Sequence, residues 1–410
     1  MYLAESRSSA STKVERRRWR RVPANVVALG VVSLVTDISS EMVTAILPLY
    51  LVIGLGLNPL QFGLLDGLYA GATAVLRLAG GHVADRWRRL KAVAGIGYGL
   101  SAVSKLGLLA AGSSVAAIGG VLAVDRAGKG IRTAPRDALI SLSSKPEALG
   151  RSFGVHRAMD TVGALLGPLV AAGVLWASLG DFDAVFVSSF CIASCGVLLL
   201  VMLVKDHPRV GPPVAVPLRG MLKLLKIKDF RRCCGWAAAL GLVTITDSFV
   251  YLALQRRWDV DTALFPLLPI GTAATFLLLA IPLGRLADRI GRWKLFLAGH
   301  ASLVLALVLL CGPVKSPWLA VAALGLHGAF YAATDGVLPA AAGPLLPVHL
   351  RASGLALLQT GQALARMVSA VLVGLAWTLW DLRPALLLTT AALLVVTIAA
   401  AVVRPLEEAR

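Results

Sequence analysis

Charge is what this sequence is short of. Asp, Glu, Lys and Arg make up 15% of its 410 residues, where soluble domains carry about a quarter. Acidic groups are the scarcer kind, 22 against 40 basic ones. No soluble domain interrupts the apolar runs and no nucleophile–base set stands out, so the sequence does not read as an enzyme. The five cysteines (Cys191, Cys195, Cys233, Cys234 and Cys311) form no CxxC and read as small packing residues. No metal cluster is visible. The basic start, "RSSASTKVERRRWRR", is not followed by a short apolar core with a small-residue cleavage site, so it is not a cleaved signal peptide.

What is abundant is apolar length. Hydrophobic residues reach 57% and mean hydropathy is +0.78. Runs of about 20 apolar residues recur along the chain, the length a bilayer core demands of a helix. Strands are not expected, because each span in lipid must satisfy its own backbone hydrogen bonds. The reading is an all-α membrane protein with twelve spans near 26–55, 61–83, 92–112, 115–135, 152–178, 182–204, 233–254, 262–284, 295–314, 317–346, 353–377 and 384–403.

The net charge of +18 raises nucleic acid as a partner, but its distribution argues against that. With both termini placed in the cytosol, 29 of the 40 Lys and Arg fall in inside segments. Only Arg256, Arg257, Lys315 and Arg383 fall in outside loops. That is the positive-inside pattern. The basic balance then reports topology and contact with anionic lipid.

The chain also repeats itself. "GHVADRWRRLK" (81–91) answers "GRLADRIGRWK" (284–294), each after the second span of its half, and "RSFG" (151–154) answers "RASG" (351–354). The division is a basic N-tail (1–25), a six-helix half (26–204), a linker (205–232), a second six-helix half (233–403) and a C-tail (404–410). Within the linker, "LRGMLKLLKIKDFRR" reads as either an interfacial amphipathic helix or a tether.

With these motifs the chain resembles the major facilitator superfamily, and within it the twelve-span drug/proton antiporters. The loop signature of that family, G-x-x-x-D-R-x-G-R-x-K, is matched by Gly81, Asp85, Arg86 and Arg89, with Arg88 in place of its inner glycine. It is matched again by Gly284, Asp288, Arg289, Gly291 and Arg292. Arg126 to Gly130 fits the R-x-x-x-G of span four. "GALLGPLVAAG" in span five fits the antiporter signature through Gly163, Gly167, Pro168 and Gly173. The resemblance implies two rocking halves and favours export. It implies a cytosolic gate at the loop signatures, where Asp85 meets the N-terminus of span eleven and Arg89 meets Asp137, with Arg132 and Arg136 nearby.

The family's cavity helices are the first, fourth, seventh and tenth. Each holds an ionisable residue here: Asp37 and Glu41, Arg126, Asp247, and Asp335. Charge at a helix centre in lipid costs about 2.5–3.5 kcal/mol on the insertion scale, so it usually faces a cavity or a partner. Counting 1.5 Å per residue, Asp37 and Arg126 both lie roughly 16 Å deep, which makes a pair feasible. A cation favours the charged acid and desolvation the neutral one. A pair made in only one state could therefore load and release a proton, or it could be a permanent structural ion pair. Asp37, Glu41, Asp247 and Asp335 are the coupling candidates, and these four with Arg126 and Lys129 are the cavity candidates. Arg126 and Lys129, with His156, Arg157 and Asp160 as further polar groups in span five, leave the first half's cavity unusually cationic for a carrier of cations, so neutral and anionic substrates stay open.

Among the remaining buried polar residues, Arg77 and Arg366 read as snorkelling or capping side chains, and His300 and His327 as core histidines. "GKG" (128–130) is not a phosphate loop, since it lies in a span without the Lys-Ser/Thr ending. Gly128 and Gly130 instead allow a close helix approach.

The expectation is a proton-coupled exporter of small organic compounds. It needs no cofactor, and it is a monomer in the inner membrane with both termini cytosolic. Its partners are substrate, protons and the bilayer, without nucleic acid. An uptake permease for a polar or anionic nutrient or chelate is the alternative, and a non-transporting membrane receptor a remote one.

Overall fold

The computed structural model describes residues 22–86, 89–145, 148–206, 222–347 and 350–403, with side chains described outside 73–86, 134 and 352. Most of the N-tail, the C-tail, most of the linker and the inner residues of the first loop signature lie outside this set. Every element among the described residues is helical. The first six helices are α1 (Ala24–Leu49, continued by a π-helical turn Tyr50–Gly54), α2 (Pro59–Arg86), α3 (Leu90–Ala110), α4 (Val115–Leu142), α5 (Leu149–Ala177) and α6 (Phe182–Leu203). After the linker come α7 (Lys228–Val243), α8 (Asp247–Trp258), α9 (Leu268–Ile290), α10 (Arg292–Cys311), α11 (Pro317–Thr334), the short α12 (Val337–Ala342), α13 (Arg351–Trp380) and α14 (Leu382–Val403).

Among the described residues, ten helical segments are long and apolar enough to cross a bilayer. Residues 228–258 count as one such segment, yet the helix is broken at 244–246. The continuous span expected over 233–254 is therefore two helices, α7 and α8. α2 and α4 fall outside the ten. Each has 28 residues, ample length, but α4 carries six charged side chains between Asp125 and Asp137.

In the first six helices α1 packs on α5 and α6, α2 on α4, and α3 on α4 and α6. In the later ones α7 packs on α13, α9 on α11, and α10 on α11 and α14. α2 also packs along α13. Glycines permit this closeness: a Cβ on Gly63 or Gly374 would run into the Ala370 or Pro59 carbonyl. Near the same end of the bundle Leu60 N–H donates to Thr378 Oγ1 (3.0 Å), and Phe62 packs edge-on against Phe249, which meets Trp377. This end lies away from the loop signatures. At the signature end, a separate core cluster of Val26, Leu29, Leu90, Tyr98, Leu139 and Leu200 joins α1, α3, α4 and α6 among the described residues.

Candidate functional site

A cavity of about 390 Å³ lies between the two sets of helices. α1 contributes Glu41 and Thr44, α2 Asp66 and Tyr69, and α5 Leu165 and Pro168. The opposite wall is Asp247 and Tyr251 of α8, Ile270 of α9, Tyr331 of α11 and Arg366 of α13. Mostly apolar walls with a few convergent polar groups are the usual make-up of a ligand site.

α5 positions the acids of α1. A Cβ on Gly163 would lie 2.6 Å from the Leu34 carbonyl, and one on Gly167 would lie 2.6 Å from Glu41 Cβ. The signature glycines thus let α1 lie directly on α5, turning Asp37 and Glu41 toward α4. Gly173 meets nothing within 4 Å and takes no part in this contact. Pro168 reaches the cavity wall.

On α4 a single face, one turn after another, carries Lys129, Arg132 and Arg136. It meets α1 in an antiparallel ladder. Lys129 Nζ lies 3.6 Å from Glu41 Oε1, Arg132 Nη2 donates to Asp37 Oδ1 (3.4 Å), and Arg136 Nη1 donates to Ser33 Oγ (3.2 Å). Arg132 also stacks on Tyr98, 4.4 Å from the ring centre. The Asp37–Arg126 pair that equal depth makes feasible is therefore not formed. The register is six residues further along α4, because Arg126 is already held elsewhere.

Its holder is Asp125, which the sequence reading passed over. Asp125 Oδ1 receives Lys105 Nζ (2.7 Å), Ser101 Oγ (2.7 Å) and Ser104 Oγ (3.1 Å). Its Oδ2 receives Arg126 Nε (3.0 Å) and the Arg126 Nη2. The guanidinium lies 3.9 Å above the Tyr69 ring. Lys105, Asp125 and Arg126 are only 3%, 7% and 4% exposed. The close α3–α4 approach at Gly97 and Gly128 brings these groups together. Each charged side chain in this group touches an opposite charge, as burial in lipid favours, although two cations share the one carboxylate. The two cations assigned to the cavity, Arg126 and Lys129, are each paired with an acid, here and in the ladder.

On the other wall Asp247 opens α8, where a helix N-terminus favours an acid. Its Oδ1 receives Tyr331 Oη (2.5 Å) and lies 3.2 Å from His327 Nε2. His327 is fully buried, as a core residue would be, but it touches a cavity acid. His300 is a core histidine bonded to the Phe296 carbonyl (2.8 Å). Arg366 does not snorkel. It lines the cavity, about 6.0 Å from the Phe330 and Tyr331 ring centres, and its Nε has no hydrogen-bond partner.

Asp335 lies apart from this cavity. It ends α11, exposed, in a second cavity with Gly284, Asp288 and Arg292 of the second loop signature. There Arg292 Nη2 bonds Asp288 Oδ1 (3.0 Å) and Nη1 bonds the Ala340 carbonyl (2.9 Å). Gly291 joins α9 to α10 at φ +106°, a conformation that favours glycine. In the first signature, Gly81, Asp85 and Arg86 fall among side chains outside the described set. Arg89 precedes α3, exposed. Asp137 pairs with Arg136 on its own helix (3.0 Å), and Asp160 lies 3.6 Å from His156. Arg157 is exposed.

The profile of the Major Facilitator Superfamily matches residues 29–274 and 233–410. The chain belongs to the Major Facilitator Superfamily. It is 32% identical over 371 residues to an uncharacterised MFS-type transporter of Methanocaldococcus jannaschii, spanning 87% of this chain and 89% of that one. Among solved structures it superposes on a variant of the nucleoside transporter NupG with a TM-score of 0.81, at 15% identity, covering 92% of this chain and 99% of the other. The peptide transporter POT follows at a TM-score of 0.76, 16% identity, and 93% and 94% coverage. At such identities the structural likeness speaks for the fold alone. This Major Facilitator Superfamily chain is an integral membrane transporter, not an enzyme.

Proposed function

We propose that the protein works by alternating access between two six-helix halves and exports small organic compounds across the cell membrane in exchange for protons. The observation that carries this reading is the cavity itself, walled by α1, α2 and α5 on one side and α8, α9, α11 and α13 on the other, with carboxylates on both walls. The helix pairings of the first six helices recur in the later ones, which supports the two halves. α2 and α4 complete twelve spans: Asp66 of α2 and the charged side chains of α4 between Asp125 and Asp137 have polar or ionic partners rather than facing lipid alone. The described side-chain contacts joining α2 to α13, from Leu60–Thr378 to Gly71–Met367, lie in the part of α2 away from the loop signatures, which with cytosolic termini corresponds to an inward-facing arrangement. The α5 signature and the α1–α4 ladder favour proton exchange: Asp37 and Glu41 would lose their cations as α1 and α4 move, and a freed acid takes a proton.

Uptake of a polar or anionic compound is the second reading. Arg366 favours it, as a guanidinium in the cavity without an ion-pair partner among the described residues.

The test is a screen of compounds against deletion and overexpression strains, followed by flux in proteoliposomes under an imposed pH gradient. Export that collapses with the gradient, and that Asp37→Asn or Glu41→Gln uncouples while sparing substrate binding, is expected. Gradient-independent flux, or net accumulation inside, would refute exchange. If both variants keep gradient-driven flux, the coupling acid lies outside α1.

A further inference from the structure

Asp66 was not singled out by its sequence context, and the ladder and the buried Asp125 group do not use it. It lies on α2, part-buried in the cavity wall. Its Oδ2 receives Thr246 Oγ1 at 2.6 Å. Thr246 belongs to the unwound residues between α7 and α8, and the next residue is Asp247. This bond joins α2 to the broken seventh span across the cavity. It lies on the same side as the Phe62–Phe249 and Leu60–Thr378 contacts that tie α2 to α8 and α13.

We infer that Asp66 is the coupling acid of the outer gate, a latch whose protonation decides how readily the halves close at the end away from the loop signatures. The inference rests on the two-half, proton-coupled reading above. Closing that end carries the Asp66 carboxylate out of open water and toward Asp247, a like charge. The groups that face it are Glu41 from α1, Tyr69 on its own helix, Asp247 and Tyr251 from α8, Tyr331 from α11 and Arg366 from α13. The residues that α5 and α9 present to the cavity do not titrate. Lys129 lies against Glu41, and Tyr331 and His327 lie against Asp247. Arg366 is the one cation among these facing groups, without an ion pair of its own among the described residues. A neutral Asp66 closes without the cost of bringing two carboxylates together, and its remaining oxygen still accepts from Thr246. The closed arrangement is therefore favoured as pH falls and weakened as pH rises. A proton taken from outside would drive closure, and its later loss to the inside would free the latch.

The test needs no substrate. Spin labels at Ser113 and Lys315, both exposed at the outer loops, report the separation of the halves by pulsed dipolar spectroscopy in nanodiscs. The background has the five native cysteines replaced by alanine and is first shown to elute as folded protein. The closed-to-open ratio should rise on acidification, by at most about tenfold per pH unit for one linked proton. Asp66→Asn, which keeps the acceptor for Thr246 but cannot titrate, should stay mostly closed and lose the pH response. Thr246→Val should lower the closed fraction while keeping the response, which Asp66→Asn alone removes. A pH response that survives intact in Asp66→Asn overturns the assignment to Asp66 and leaves proton coupling standing. No response in the parent protein overturns both.

Discussion

Replacing Asp125 by asparagine keeps the side-chain volume but removes the charge that holds Lys105 and Arg126 together. The carboxylate accepts from Lys105, Ser101, Ser104 and Arg126, and the three charged side chains are at most 10% exposed. Breaking one buried pair by removing a single partner costs about 3–5 kcal/mol, chiefly because a charge is left unpaired. Here two cations lose their anion, so the upper part of that range is expected, softened by Lys105 giving up its proton. Arg126 retains its stacking on Tyr69, worth about 0.5–2 kcal/mol. Titration of the purified protein with dodecyl sulfate in mixed micelles measures the loss through the unfolding midpoint. Adding Lys105→Met to Asp125→Asn should recover a good part of it, since a neutral side chain of similar length leaves no second unpaired charge. A single variant within about 1 kcal/mol of the parent, the value of an exposed pair, would refute the reasoning. So would a double variant no more stable than the single one.

Gly167→Ala should force α1 away from α5, because its Cβ would sit 2.6 Å from Glu41 Cβ and 2.9 Å from the Ile38 carbonyl. Gly173→Ala should be neutral, and cross-linking yields between α1 and α5 compare the two. Gly291→Ala should cost about 1–3 kcal/mol for its positive φ, whereas Gly284→Ala, with nothing within 4 Å, should leave the same unfolding midpoint unmoved. A reporter active only outside the membrane, fused after Arg410, should stay silent, and strong activity there would reverse the proposed topology.

The spans were legible because lipid sets both their length and their composition. The expected 182–204 and 384–403 correspond to Phe182–Leu203 and Leu382–Val403. The break at 244–246 was hidden, since Thr-Ile-Thr carries neither glycine nor proline and the surrounding hydropathy is uninterrupted. Depth along a helix can be counted from sequence, but the direction in which a side chain points cannot. That is why Asp37 and Arg126 were matched by height while Arg126 turns to its neighbour Asp125. The Lys105–Asp125 pair joins two helices whose facing sides only the Gly97–Gly128 contact defines. Asp66 and Arg366 were similarly obscure: neither sits in a motif, and the importance of each comes from the wall it faces. Asp335 followed the family pattern for the tenth span to the right helix but lies at its end, beside the loop signature.

The interruption of the seventh span also bears on how the chain is made. α7 has 16 residues and α8 has 12. At 1.5 Å per residue they reach about 24 and 18 Å, both short of a hydrocarbon core of about 30 Å. Neither can cross alone, so the insertion machinery must receive them as one segment. The bent form then needs a donor for the carbonyl it exposes. Thr244 finds that donor in Ser369 Oγ, at 2.8 Å and 125 residues further along the chain. A ribosome that has just released α8 has not yet made the helix that supports the bend. The seventh span must enter the bilayer before this support exists, and its final shape belongs to the last stage of assembly, when α13 arrives.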